Sequence, residues 1–286
     1  MSNAVVSAFK NKQLRKKLLF TTLILIVVRF GSQLPIPEID SAQISAYLKS
    51  TLGDSFSLLN SFTGGSFMQM SVFALSVTPY ITSSIIMQLM TIAIPKLEEM
   101  QKEGEDGRKK IAEYTRYLTV ALALFQSSAM AIGFGKQGLL YEDAQNVWGY
   151  MTVIAAMTAG SALLMWIGER ITEKGVGNGI SIVLLFNILS SVPDDMRSLY
   201  YRFIFGQSFA TMAVAVLLIA VVLLAMVVFV VVLNDAERRI PVQYSKKMQG
   251  RKMMGGQSSH IPLKVNTAGV IPVIFASSIM SFPSVI

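Results

Sequence analysis

Charged residues along this chain fall in clusters, and long uncharged stretches separate them. Arg116 to Lys136, Asp143 to Glu169 and Lys174 to Asp194 bracket windows of 19, 25 and 19 uncharged residues. A window of 32 lies between Arg202 and Asp235, and Val265–Ile286 adds 22. Near the N-terminus, Lys17 to Glu38 is interrupted only by Arg29, which follows the apolar run Leu18–Val28. A bilayer core takes about 20 apolar residues at ~1.5 Å each, so each window predicts one transmembrane helix. The window Ser55–Pro95 is different: it holds 41 uncharged residues, with no charged loop to divide it into two spans. Its first part is mixed and ends in Gly64-Gly65, and the run Phe67–Ile94, with Pro79 in it, follows. This predicts a short helix that enters the membrane partway, turns at the glycines and hands over to a full span. Backbone of that kind must be buried in protein or line a watery cavity.

The expected architecture is therefore all-α: a polytopic helix bundle of seven spans plus the re-entrant piece. A basic N-terminus (1–17) precedes spans one to five (18–193). Spans six and seven (194–286) enclose a 31-residue loop, 234–264. Counting the long window as one crossing puts 20 of the 25 Lys and Arg on one side and four on the other, with Arg29 at depth. That bias predicts a cytoplasmic N-terminus. Composition agrees: 52% of the 286 residues are hydrophobic and 15% charged, where a soluble domain carries about 25% charged residues. The net charge of +8 is explained by loop topology. No small-x-small site follows the first apolar run, so it is not expected to be a cleaved signal peptide.

Several chemistries drop out. There is no cysteine and one histidine, which removes thiolate nucleophiles, disulfides and zinc or iron–sulfur sites of the usual kinds. No GxxxxGK[ST], HExxH or GxSxG sequence occurs, and His260 lies among serines in the basic loop. No carboxylate lies inside a span, where ion-coupled pumps place them. Neither an enzyme nor a cofactor is expected. Arg29 reads as a packing or snorkelling residue. Three local features remain: Asn60 to Phe67 with its two glycines; Lys174 to Ile182, where Gly175, Gly177 and Gly179 imply close packing or a hinge and Asn178 needs a polar partner; and the basic loop, either a topogenic connector or a docking surface.

Six ordered segments then carry a resemblance. They are Arg29-Phe-Gly-Ser-Gln-Leu-Pro-Ile-Pro-Glu-Ile-Asp, Phe73-Ala-Leu-Ser-Val-Thr-Pro-Tyr-Ile-Thr-Ser-Ser, Glu103-Gly-Glu-Asp-Gly-Arg-Lys-Lys-Ile, Gly168-Glu-Arg-Ile-Thr-Glu-Lys-Gly-Val-Gly-Asn-Gly, Glu237-Arg-Arg-Ile-Pro-Val-Gln-Tyr and His260-Ile-Pro-Leu-Lys-Val-Asn-Thr-Ala-Gly. Over essentially its whole length the chain resembles the SecY family, the channel-forming subunits of bacterial protein translocases. The resemblance implies a ten-span, pseudo-symmetric clam-shell around an hourglass pore in the bacterial plasma membrane. Secretory polypeptides would cross it, and membrane segments would leave it sideways. A plug helix would correspond to about 56–67, with Asn60, Phe62, Gly64, Gly65 and Phe67. An apolar pore ring would comprise Val77, Ile81, Ile180, Leu184 and Ile274.

Further expectations follow from the same likeness. Asn178 would be a pore polar residue within hydrogen-bonding reach of Asn60. The loop 234–264, with Arg238, Arg239, Lys246, Lys247, Arg251 and Lys252, would dock the ribosome or the motor ATPase SecA. Small SecE and SecG subunits, precursor or nascent polypeptides and anionic lipids complete the implied partners. Pro79, Pro272 and the run 175–179 are candidate flex points. Because the family has ten spans, a chain ending at Ile286 is expected to be a fragment that cannot seal a pore alone. From the residues alone, a secondary solute transporter with broken helices and a noncatalytic scaffold stay open as alternatives.

Overall fold

The computed structural model describes residues 11–52, 60, 63–206, 209–242, 247–249, 252–254, 259–267, 269 and 276. Helix α1 (Lys12–Gly31) begins inside the basic N-terminal segment, where Asn11 caps it by accepting the Gln13 N–H at 3.1 Å. It is followed by α2 (Ser41–Leu52), α3 (Thr78–Ala93), α4 (Pro95–Lys102), α5 (Glu105–Lys136), α6 (Val147–Lys174), α7 (Gly179–Phe203) and α8 (Phe209–Asp235). Four of these, α5 to α8, are long and apolar enough to cross a bilayer, or five if the bent pair α3–α4 counts as one span. That pair turns by 102° where Pro95 starts the second helix. The basic start of α1 keeps it out of that set on composition.

The chain divides into two compact units, Met1–Asp194 with Phe275–Ile286, and Asp195–Ile274. In the first, two hydrophobic clusters form around α5 and α6. One joins Ile36, Ile39, Ile44, Phe67 and Met70 to the faces of α5 and α6 that carry Met130, Ala131, Val153 and Met157. The other joins Val28 and Phe73 to Leu164, Ile167, Ile171 and Val183. Val72 packs against both.

In the second unit, α8 is apolar all round and its Val and Leu side chains are exposed throughout. A helix of that kind is stable only where its surroundings are apolar too. Among the described residues of the loop after it there are two antiparallel ladders. β1 (Glu237–Val242) pairs with β4 (Ser259–Lys264), and β2 (Lys247–Gln249) with β3 (Lys252–Met254). The Val265 N–H donates to the Ala236 carbonyl at 3.0 Å, which makes alternate pairs from Ala236 outward the hydrogen-bonded ones. Pro241 and Pro262 then fall in non-hydrogen-bonded pairs, where each missing N–H faces outward. Both edges are thereby blunted against strand addition.

Candidate functional site

The segment before α3 departs from the single long span expected over Phe67–Ile94: helix begins only at Thr78. Residues 63–77 form successive turns that satisfy their own backbone. Gly65, Met70, Ser71, Ala74 and Ser76 donate to carbonyls three or five residues back, at 2.8–3.1 Å. Val72 donates to Leu34, and Met70 accepts from Ile36, both at 3.0 Å. The connection 32–36 thus holds the segment as a strand would. Pairing of this kind within protein is what non-helical backbone away from water requires; among the side chains of the segment, the buried Ser71 hydroxyl stays without a partner. Pro79 stands in the first turn of α3, where its missing N–H costs nothing; it starts the helix and does not kink it.

The glycine turn expected at 64–65 is present. Both residues have positive φ, +64° and +86°, a region that L side chains enter only at a cost. The Asn60 carbonyl accepts from the Gly65 N–H and the Thr63 hydroxyl, each at 3.0 Å, and Asn60 Oδ1 accepts from the Met68 N–H at 3.3 Å. Phe67 is buried in the first cluster. A cleft of about 420 Å³ lined by Ser41, Ser45, Asn60, Gly65, Gln69 and Asp194 borders the turn. Phe62 lies outside the described residues.

Four of the five expected ring residues come together. Val77 belongs to the second cluster, and Ile81, Ile180 and Leu184 pack against it, half-buried. Val77 is 1% exposed, so its side chain is covered while the other three keep open surface. Ile274 lies outside the described residues.

Asn178 is placed differently from expectation. It is exposed, and its Oδ1 caps α7 by accepting the N–H groups of Ile180 (3.1 Å) and Ser181 (3.4 Å). Asn60 shares its cleft with Asp194, about four helical turns along α7 from Asn178, so the bond expected between the two asparagines is not formed. The 175–179 run is close packing: a Cβ on Gly179 would run into the Gly168 carbonyl oxygen, and Thr172 Oγ1 accepts the Gly179 N–H at 2.8 Å.

Polar residues that the sequence reading passed over lie between the turn and the cluster. Ser76, 2% exposed, has φ +51° and is the residue before Val77. Its hydroxyl accepts from Asn187 Nδ2 and its carbonyl from Ser161 Oγ, each at 3.3 Å. Arg29 Nη1 donates to the Gly64 carbonyl at 2.8 Å and to Ser190 Oγ at 3.1 Å. An asparagine one turn from Leu184 on an otherwise apolar helix face was the available signal. Further along, Arg116 bridges to Glu169 at 2.7 Å, joining α5 to α6.

In the ribbon, successive residues face opposite sides. Arg238 therefore shares a face with Ile240, Ile261 and Leu263, while Arg239 shares the other with Pro241, Pro262 and His260. The two arginines do not form one basic patch. Lys247 and Lys252 lie on β2 and β3; Lys246 and Arg251 are outside the described residues.

A family model described as SecY matches residues 71–286. The chain belongs to the SecY family. It is 45% identical to the protein translocase subunit SecY of Corynebacterium glutamicum, over 99% of this chain and 65% of that protein. With the SecY subunit of Pseudomonas aeruginosa the identity is 44%, over 98% and 63%. The chain thus spans about two thirds of the length of these relatives. Among solved structures, one described as a protein conducting channel aligns over 95% of this chain and 57% of its own, with TM-score 0.56 and 17% identity. Sec61 of a canine ribosome–channel complex aligns over 95% and 58%, with TM-score 0.55 and 15% identity. At that identity the likeness concerns the fold. Together with the apolar helices, family membership makes this SecY-family chain a multi-pass membrane protein.

Proposed function

We propose that this chain forms the first part of a protein-conducting channel, with seven spans and a plug over about 56–67. The observation that carries the reading is the gathering of Val77, Ile81, Ile180 and Leu184 at one apolar cluster, adjoining a glycine turn held at membrane depth. Branched aliphatic side chains offer water and ions no hydrogen bond, so a constriction made of them dewets and seals. The same side chains discriminate little among polypeptides, which lets unrelated sequences through. Segments apolar enough to prefer lipid then leave sideways, driven by roughly 25 cal/mol per Å² of buried apolar surface. Ile274 completes the ring, and separation of the second and seventh spans opens the side exit.

The step is conductive, with no catalytic group and no cofactor. Near the turn, Asn187 Nδ2 is engaged with the Ser76 hydroxyl and the Ser190 hydroxyl with the Asn187 carbonyl, which argues against a solute site. The N-terminus is cytoplasmic and the membrane is the bacterial plasma membrane, as the Lys/Arg bias and the relatives suggest. The β1–β4 ribbon, with Arg238 and Ile240 on one face and Arg239 on the other, docks SecA or the ribosome. SecE and SecG complete the complex, and anionic lipids contact the basic loops. The test is site-specific crosslinking in the full-length protein. Single cysteines at Ile81 and Leu184 are expected to crosslink a stalled secretory precursor in a SecA- or ribosome-dependent way, and one at Leu124 is not. Equal labelling at all three, or none at Ile81 and Leu184, contradicts the reading.

A further inference from the structure

Arg29 has no carboxylate within ion-pair distance among the described residues. Its bonds go to the main chain of the re-entrant turn and to α7: the Gly64 carbonyl at 2.8 Å and Ser190 Oγ at 3.1 Å, both from Nη1. Ser190 Oγ donates onward to the Asn187 carbonyl at 2.7 Å, Asn187 Nδ2 to Ser76 Oγ at 3.3 Å, and Ser161 Oγ to the Ser76 carbonyl at 3.3 Å. One chain of hydrogen bonds therefore joins α1, the turn, α7, the residue before Val77, and α6. Gly64 is shaped for the contact. A Cβ there would lie 2.8 Å from Ser190 Oγ and 3.0 Å from the Asn187 carbonyl oxygen, at a backbone φ of +64°.

The chemistry of the pairing matters. A carboxylate would hold a guanidinium through two strong charge-assisted bonds; a neutral carbonyl holds it firmly but exchanges for any other carbonyl or for water. A cation at low dielectric cannot be left without acceptors. The turn can therefore leave only as another acceptor arrives. We propose that Arg29 is a latch: in the closed state it clamps the turn at Gly64 against Ser190, and it lets go when water or the backbone carbonyls of an entering polypeptide take the place of the Gly64 carbonyl. This rests on reading 56–67 as the plug, and it adds the element that holds the plug shut.

The test uses the full-length channel with its partner subunits in proteoliposomes, carrying spin labels at Q69C and L189C. Residues 1–286 contribute no native cysteine. The label-to-label distance and the ion leak are measured on the same samples. Arg29→Met and Gly64→Ala are each expected to lengthen and broaden the distance distribution; the leak rises about ten- to a hundredfold in Arg29→Met, the range that a charge-assisted hydrogen bond supports, and about five- to thirtyfold in Gly64→Ala, where strain at the turn is the cause. Ser190→Ala keeps the Gly64 bond, so a severalfold rise is expected, and adding it to Arg29→Met changes nothing more. If Arg29→Met does not assemble, Ser190→Ala and Gly64→Ala carry the test. A broadened distance with no leak upholds the latch and overturns the plug reading. Unchanged distances in folded Arg29→Met and Ser190→Ala channels overturn the latch, whatever the leak does.

Discussion

Two glycine turns in this molecule do opposite jobs. The one at 175–179 is closed on itself: Thr172 and Asn178 cap it from within, and Gly179 lets α7 ride directly on the Gly168 backbone. The one at 64–65 is held locally by Asn60 and tied to the helices around it by one distant side chain, Arg29, which donates to the Gly64 carbonyl and to Ser190 Oγ. A turn sealed by its own caps and by backbone packing can move only if two helices part. A turn tied to its neighbours by one side-chain hydrogen bond can be let go while the bundle stays intact. The sequence shows glycines in both places; their partners decide which is rigid.

Four substitutions sharpen that contrast, from the largest effect to the smallest. Gly179→Leu drives a side chain into the Gly168 carbonyl and should cost about 3 kcal/mol or more. It is expected to show as loss of assembled protein on detergent gel filtration. Gly64→Ala combines positive φ with the close approach to Ser190 and should cost about 1–2 kcal/mol. The effect is expected to be local: proteolysis near the turn rises while the melting temperature of the bundle barely shifts. Equal global destabilisation by both changes would erase the distinction between the turns. Asn178→Ala removes the α7 cap and should cost about 1 kcal/mol, read as faster amide exchange over residues 179–182. Arg116→Gln breaks a half-exposed ion pair and should cost under about 1 kcal/mol, with a shift in melting temperature that shrinks further at high salt.

How far the sequence led depended on how local each determinant was. α8 is visible from its uninterrupted Val and Leu, because a span is a property of one segment. The re-entrant turn was visible from Gly64-Gly65 and from a window too long for one helix. The unwinding of 67–77 was not, since Phe73, Ala74 and Leu75 read as ordinary span and what keeps them from helix is remote: Leu34, Ile36, Ser161 and Asn187. The partners of Arg29 lie 35 and 161 residues away, beyond any spacing rule, so it read as a packing or snorkelling residue. The ribbon was hidden for a different reason. Pro241 and Pro262 argue against strands until the register puts both in outward-facing positions. Among the ring residues, the apolar type was legible but the covered state of Val77 was not.

The most direct test of the contrast is amide hydrogen exchange on the full-length complex, idle and stalled with a secretory precursor. Amides of residues 64–72 are expected to lose protection when the precursor is engaged, while those of residues 178–186 keep it. Loss of protection at 178–186 with 64–72 unchanged would contradict the assignment of the Gly64 turn as the part that moves.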